Sequence, residues 1–192
     1  MLRAFLFLIL FFSLSFAQEA NLVFSVYSTK KITVTRTIPR SGLDFYGLIY
    51  NKASCGSEID SAYNTIIYRA VFEFDLSSIP SYVEIVRVVI QGITFYGSTQ
   101  PFLVSIKKVP DSYSEFFLKA TWDSISQSMS YYDNLNTSYY YDIDVPQLIT
   151  EIQEKVDARK DTLRIAFVSM DESQLKKTED ISISRIIVFF SS

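Results

Sequence analysis

The stretch from Ile66 to Tyr96 constrains this chain more than any other. Ile66, Tyr68, Ala70, Phe72 and Phe74 are apolar at every second position, with Arg69, Glu73 and Asp75 set between them. Successive side chains of a strand point to opposite faces, so the spacing predicts a half-buried strand. A turn follows at once. Asp75-Leu-Ser-Ser-Ile-Pro80-Ser81 gathers residues that form side-chain turns and fix φ, and Val86, Val88 and Ile90 then resume the alternation with Arg87 and Gln91 opposite. This pair fixes the fold class far better than it fixes an activity.

The flanking sequence reads the same way. Leu22, Phe24 and Val26, then Ile32 and Val34, predict one or two opening strands before Pro39-Arg-Ser-Gly42 breaks the pattern. From Leu43 to Ile59, an aromatic cluster of Phe45, Tyr46 and Tyr50 and a polar stretch around Cys55 predict a short strand between long connections. Phe102, Val104 and Ile106 make another strand. Residues 112–136 are irregular and rich in Ser, Tyr and Asn, as a long surface excursion would be.

One helix stands out. Val145, Leu148, Ile149, Ile152 and Val156 fall at helical spacing, Asp144 and Gln147 have the spacing of a capping box, and Lys155, Arg159 and Lys160 suit a C-terminal end. Leu163, Ile165 and Phe167 give a further strand, and the run from Ile181 to Phe190 closes the chain as a strand buried on both faces. About nine strands, one short helix and no repeat predict an all-β fold, a jelly-roll-like antiparallel β-sandwich.

Residues 69–80, from Arg69 to Pro80, followed by the β-rich Val86 to Ile90, resemble the core signature of DNRLRE-type domains, secreted jelly-roll sandwiches akin to carbohydrate-binding modules. Later segments fall in the family's order: Thr121-Trp122-Asp123, Tyr141-Asp142-Ile143-Asp144-Val145, and the closing Arg185 to Phe189. The chain departs from the pattern where the second family tryptophan is missing before Thr121, where Asp123 stands for Asn, and where Pro146 stands for Thr. The resemblance implies a sheet-structural role for Arg69.

Residues 1–17 predict a signal peptide. Arg3 precedes an apolar run from Ala4 to Leu14, and Ser15-Phe16-Ala17 forms a small-x-small cleavage site. The run is shorter than the ~20 residues of a spanning helix, and no second long apolar segment exists to hold the mature chain in a membrane. The expectation is therefore a secreted, extracellular or cell-surface protein with one domain over 18–192. A net charge of −3, without a basic run, argues against nucleic-acid partners. Cys55 is the sole cysteine, so no intramolecular disulfide can form; it reads either as a free thiol under a loop or as a site of intermolecular pairing.

The sequence contains no histidine. Ser-His-Asp and Cys-His catalysis and the usual zinc and copper sites are thereby excluded. A carboxylate pair of the glycosidase kind could draw only on acids such as Glu73, Asp75, Asp142, Asp144, Asp171 and Glu172, and Glu73 faces outward while Asp144 caps a helix. The chain thus reads as a non-enzyme with no catalytic residues and no obligatory cofactor.

Structural calcium is a further expectation, with Asp142, Asp144, Asp171 and Glu172 as ligands arriving from separate loops. Arg69 and Asp75 read as scaffold, Arg69 needing several acceptors if partly buried. Trp122, Tyr131, Tyr132, Tyr139, Tyr140 and Tyr141 offer aromatic faces for sugar rings, or else pack at the rim of the core. Asn136-Thr137-Ser138 is an N-glycosylation sequon. Two readings result: a binding module for polysaccharide or cell-surface glycan, and an appendage or matrix protein that self-associates through its sheet edges.

Overall fold

The computed structural model describes residues 22–97, 100–173 and 177–191. The signal peptide expected over 1–17 lies outside the described residues. Among those described, no helix is long and apolar enough to cross a membrane.

The alternating stretch forms the central strand of one layer. This strand, β5 (Thr65–Asp75), pairs along one whole edge with β2 (Ser28–Ile38). Its other edge is shared. β4 (Ser54–Ile59) takes Thr65 to Tyr68, and β10 (Thr162–Ser169) takes Ala70 to Asp75. From β10 the layer continues through β7 (Leu103–Lys108) to β8 (Ser130–Asn136), and on the far side β3 (Phe45–Tyr50) extends β2.

The second layer runs β1 (Leu22–Val26), β12 (Arg185–Ser191), β6 (Glu84–Tyr96) and β9 (Tyr141–Asp144). β11 (Lys177–Ser182) stitches the layers together, pairing with β4 on one side and with Thr94 to Tyr96 of β6 on the other. Among the described residues all twelve strands pair antiparallel, and the fold is an all-β sandwich.

The main core lies between the layers. Ala70, Phe72 and Phe74 of β5 meet Val88 and Ile90 of β6 and Ile186, Val188 and Phe190 of β12, as period-two alternation requires. A second core forms on the outer face of β5, where Ile67 and Val71 pack with Val34, Ala166, Val168, Trp122 and Ile125. The central strand is therefore covered on both faces.

That second core corrects the reading of residues 112–136. They contain helix α1 (Leu118–Gln127), which lays Trp122 and Ile125 on the sheet, and then β8. Leu118, Trp122 and Ile125 carry a helical period, but α1 starts at Phe117 without a side-chain cap or a first-turn acid, so the usual start signal is missing.

The expected helix is α2 (Gln147–Asp157), whose Leu148, Ile152 and Val156 enter the main core. Its capping box does not form. Asp144 lies in β9 and accepts from Arg87 Nε at 2.6 Å, and Pro146 takes the cap position without a side-chain bond. The closing run is likewise two strands, β11 and β12, and alternate residues of β12 are half-exposed rather than buried on both faces. The polar loop expected over residues 51–57 gives way at Ser54 to strand β4, and Cys55 is fully buried within it.

Candidate functional site

Arg69 is built into the scaffold. It is 4% exposed and projects from the outer face of β5 beneath α1. Nε and Nη2 donate to Glu172 Oε1 and Oε2 at 2.7 and 2.9 Å, a bidentate pair. Nη1 donates to the Trp122 carbonyl at 2.9 Å and to Ser126 Oγ at 2.8 Å. The guanidinium also sits over the Trp122 ring, 3.7 Å from its centroid. Asp75 is scaffold of another kind: its Oδ1 accepts the Ser77 N–H at 2.8 Å, which holds its carboxyl below the usual range and shapes the turn after β5.

This arrangement engages the acids of both expected calcium spots, Asp171 with Glu172 and Asp142 with Asp144. Both Glu172 oxygens are taken by a guanidinium, so a calcium ion would have to displace a buried cation. Asp171 Oδ1 accepts the Ser173 N–H at 3.0 Å, Asp142 Oδ1 accepts the Gly92 N–H at 2.8 Å, and Asp144 pairs with Arg87. Calcium asks for 6–8 oxygen ligands, and among the described residues no three acids or cysteines converge. The acids present do not fit that ion. Glu73, the outward acid of β5, accepts from Arg164 Nε at 2.7 Å.

The expected aromatic platform divides in the same way. Trp122 is 1% exposed and Tyr131 is 3% exposed, so both are packing residues without a free face. Burial pushes the Tyr131 phenol far above its ordinary range. Tyr132 is partly exposed, but it stands in the middle of β8. Only the turn from β8 to β9 gathers tyrosines: Tyr139 and Tyr140 are 64% and 62% exposed, and Tyr141 is half-buried behind them.

That turn is held firmly. Tyr141 OH accepts the Asn136 N–H at 2.8 Å and donates to the Asn136 carbonyl at 3.0 Å. Ser138 N–H donates to Asn136 Oδ1 at 2.9 Å, and Tyr139 N–H to the Asn136 carbonyl at 3.2 Å. Buried Thr137 exchanges bonds with the Phe102 backbone, accepting through Oγ1 at 3.2 Å and donating through its N–H at 3.1 Å. The Tyr141 ring meets Phe95 edge-on at 6.5 Å and Tyr139 at 6.4 Å.

Asp142 completes the surface. It is tied to Gly92 on β6, and desolvation together with its carboxylate pushes the Tyr140 phenol up. The sequon asparagine, Asn136, ends β8 beside the tyrosines and is half-buried. The result is two exposed aromatic faces on a rigid turn, flanked by a fixed carboxylate.

A separate groove of about 530 Å³ opens between α1 and the segment before β3, lined by Arg36, Leu43, Asp44, Tyr46, Lys119 and Asp123. Its charges are paired along each wall, Arg36 with Asp44 at 2.6 Å and, within α1, Lys119 with Asp123 at 2.6 Å. Nothing in the sequence pattern marked this groove, because its walls come from segments far apart in the chain.

No protein-family model matches this sequence, and no curated protein is detectably similar to it.

Proposed function

We propose that the protein is a non-enzymatic, secreted carbohydrate-binding module in which Tyr139 and Tyr140 stack on sugar rings and Asp142 accepts from ring hydroxyls. One observation carries the reading: two solvent-facing tyrosines stand on a turn whose backbone and supporting ring, Tyr141, are fixed by hydrogen bonds to Asn136. Rigid aromatics lose little entropy on binding, and a flat apolar face with an adjacent polar acceptor matches the two sides of a pyranose. The leader-like residues 1–17 and the resemblance to DNRLRE-type domains support the extracellular setting. The histidine-free sequence, and the engagement of Glu73, Asp144 and Glu172 with arginines, support a binding role over a catalytic one.

The test is a glycan array with pull-downs on insoluble polysaccharides, comparing the native protein with a Tyr139→Ala/Tyr140→Ala double variant. Binding by the native protein that the double variant loses supports the reading. Absence of any glycan ligand for the native protein sinks it.

A further inference from the structure

The strand β3, Phe-Tyr-Gly-Leu-Ile-Tyr over Phe45–Tyr50, has no charged residue and pairs only with β2 among the described residues. Its register with β2 identifies what its outer edge offers. Asn51 N–H donates to the Lys31 carbonyl, and Ile49, Gly47 and Phe45 follow in the same phase opposite Thr33, Thr35 and Thr37. In an antiparallel ladder the intervening residues turn their N–H and C=O the other way. Tyr46, Leu48 and Tyr50 therefore present unpaired backbone groups along the edge, a template for another strand.

We propose that this edge pairs with the same edge of a second copy, antiparallel about a two-fold axis midway between the two Leu48 residues. A two-fold perpendicular to the sheet keeps inner faces with inner faces, so even-numbered residues must meet even-numbered ones. With Leu48 facing its own copy, Tyr46 faces Tyr50 and Asp44 faces Lys52 of the second copy. Opposite charges then meet at both ends of an uncharged strand, Asp44 beside its own Arg36 and Lys52 beside its own Asp180, so each end joins an existing ion pair to the second copy. This selects a second copy as the occupant, and the symmetry consumes both edges and closes the assembly.

The surroundings match an interface. Leu43 is 86% exposed and Phe116 is 92% exposed, two of the three most exposed large apolar side chains described, and Phe117 and Phe45 are exposed with them. They belong to one neighbourhood. The groove holding Leu43 shares Lys119 and Asp123 with the concavity lined by Phe116 and Phe117, and Tyr50 OH donates to Glu115 Oε2 at 2.9 Å. Two other edges suit pairing less: β8 carries Asp133 and a left-handed Asn134, with φ of 65°, and β9 carries two aspartates in four residues, while the uncharged edge β1 (Leu22–Val26) lacks the opposite charges that flank β3.

Two experiments test the pairing on the full protein. Leu48→Cys, which faces its own copy across the axis, should form a covalent dimer on mild oxidation, read on a non-reducing gel, whereas Asp133→Cys on β8 should not. Sedimentation equilibrium should show a dimer that Asp44→Lys weakens by about three- to tenfold and that Lys52→Asp in the same chain restores. Asp44 and Lys52 lie at opposite ends of β3, on the order of 25 Å apart at ~3.3 Å per residue, so a rescue can only come from contact between chains. A monomer at every accessible concentration overturns the proposal, as does a dimer without the Leu48→Cys link or without rescue.

Discussion

The guanidinium of Arg69 lies over the indole ring of Trp122, and the same side chain donates to the Trp122 carbonyl at 2.9 Å. One strand residue thus holds the helix that covers it by both the ring and the backbone of a single partner. Glu172, reaching in from the turn after β10, neutralises the cation from the other side. Three segments distant in sequence are pinned at one buried charge.

Replacing Arg69 therefore tests the anchoring of α1. Lysine keeps the charge but loses the planar fork and the stacked face. Arg69→Lys should destabilise the protein by about 2–4 kcal/mol, and Glu172→Gln by a similar amount, since either leaves a buried group without its match. Urea unfolding followed by Trp122 fluorescence measures both. A loss below ~1 kcal/mol would show that the pair behaves as a surface ion pair.

Four of the six aromatic residues expected to form a sugar platform should separate into two classes. Trp122→Ala and Tyr131→Ala remove buried rings and should cost about 3–5 kcal/mol each. Tyr139→Ala and Tyr140→Ala touch solvent and should stay within about 0.5 kcal/mol of the native protein. Thermal unfolding of the four variants distinguishes the classes without any ligand.

The strand at Ile66 to Phe74 was legible because its alternation is unbroken, and the turn at Asp75 was legible because Asp, Ser and Pro are local signals. That Arg69 is scaffold needing several acceptors was legible, but what covers it was not, because the cover comes from α1, about fifty residues away, whose period rests on three apolar positions in a serine-rich stretch. Asp144 misled for a related reason. Its position before a helical period looks like a cap, but the β6 partner Arg87 captured its carboxylate in the sheet. Among the tyrosines, no local rule separates Tyr131 from Tyr139, since the difference is which one the β7–β8 pairing turns inward.

Gly56 illustrates a residue whose role is steric. It sits in β4 at φ of 112°, opposite Thr178, where a Cβ would fall 1.9 Å from the Lys177 carbonyl oxygen. Both the backbone conformation and the lack of room exclude a side chain. Gly56→Ala should cost at least ~3 kcal/mol and loosen the β4–β11 junction between the layers. Hydrogen exchange at Cys55 and Ser57 amides would report the loosening directly.

Its neighbour Cys55 should be silent toward thiol reagents in the native state. The side chain is fully buried, and desolvation, with Glu179 next in order, pushes its thiol well above the ordinary range. The thiolate is the reactive form, so labelling needs the sandwich to open. The rate of labelling by a soluble aromatic disulfide should follow the unfolding equilibrium across a urea series; rapid labelling in native buffer would contradict the burial.

The acid limb of stability should depend on Asp111. Its carboxylate accepts from Lys155 Nζ at 2.6 Å and from Lys160 Nζ at 2.8 Å, and these two bonds hold its carboxyl far below the usual aspartate range. A depressed folded value means that the unfolded chain takes up the proton first as pH falls. The stabilisation is thus complete above the unfolded value of about 3.9 and is lost as pH drops from there toward the folded value. Glu115, lowered by its bond to Lys30, acts in the same direction. Asp111→Asn should be less stable than the native protein at neutral pH, because nearly buried Lys155 keeps only the 3.6 Å contact to Glu151. The two proteins should converge as pH falls below about 4. Urea midpoints at neutral pH and at two acid pH values decide the matter, and a stability difference that stays constant across them would remove Asp111 from the acid limb.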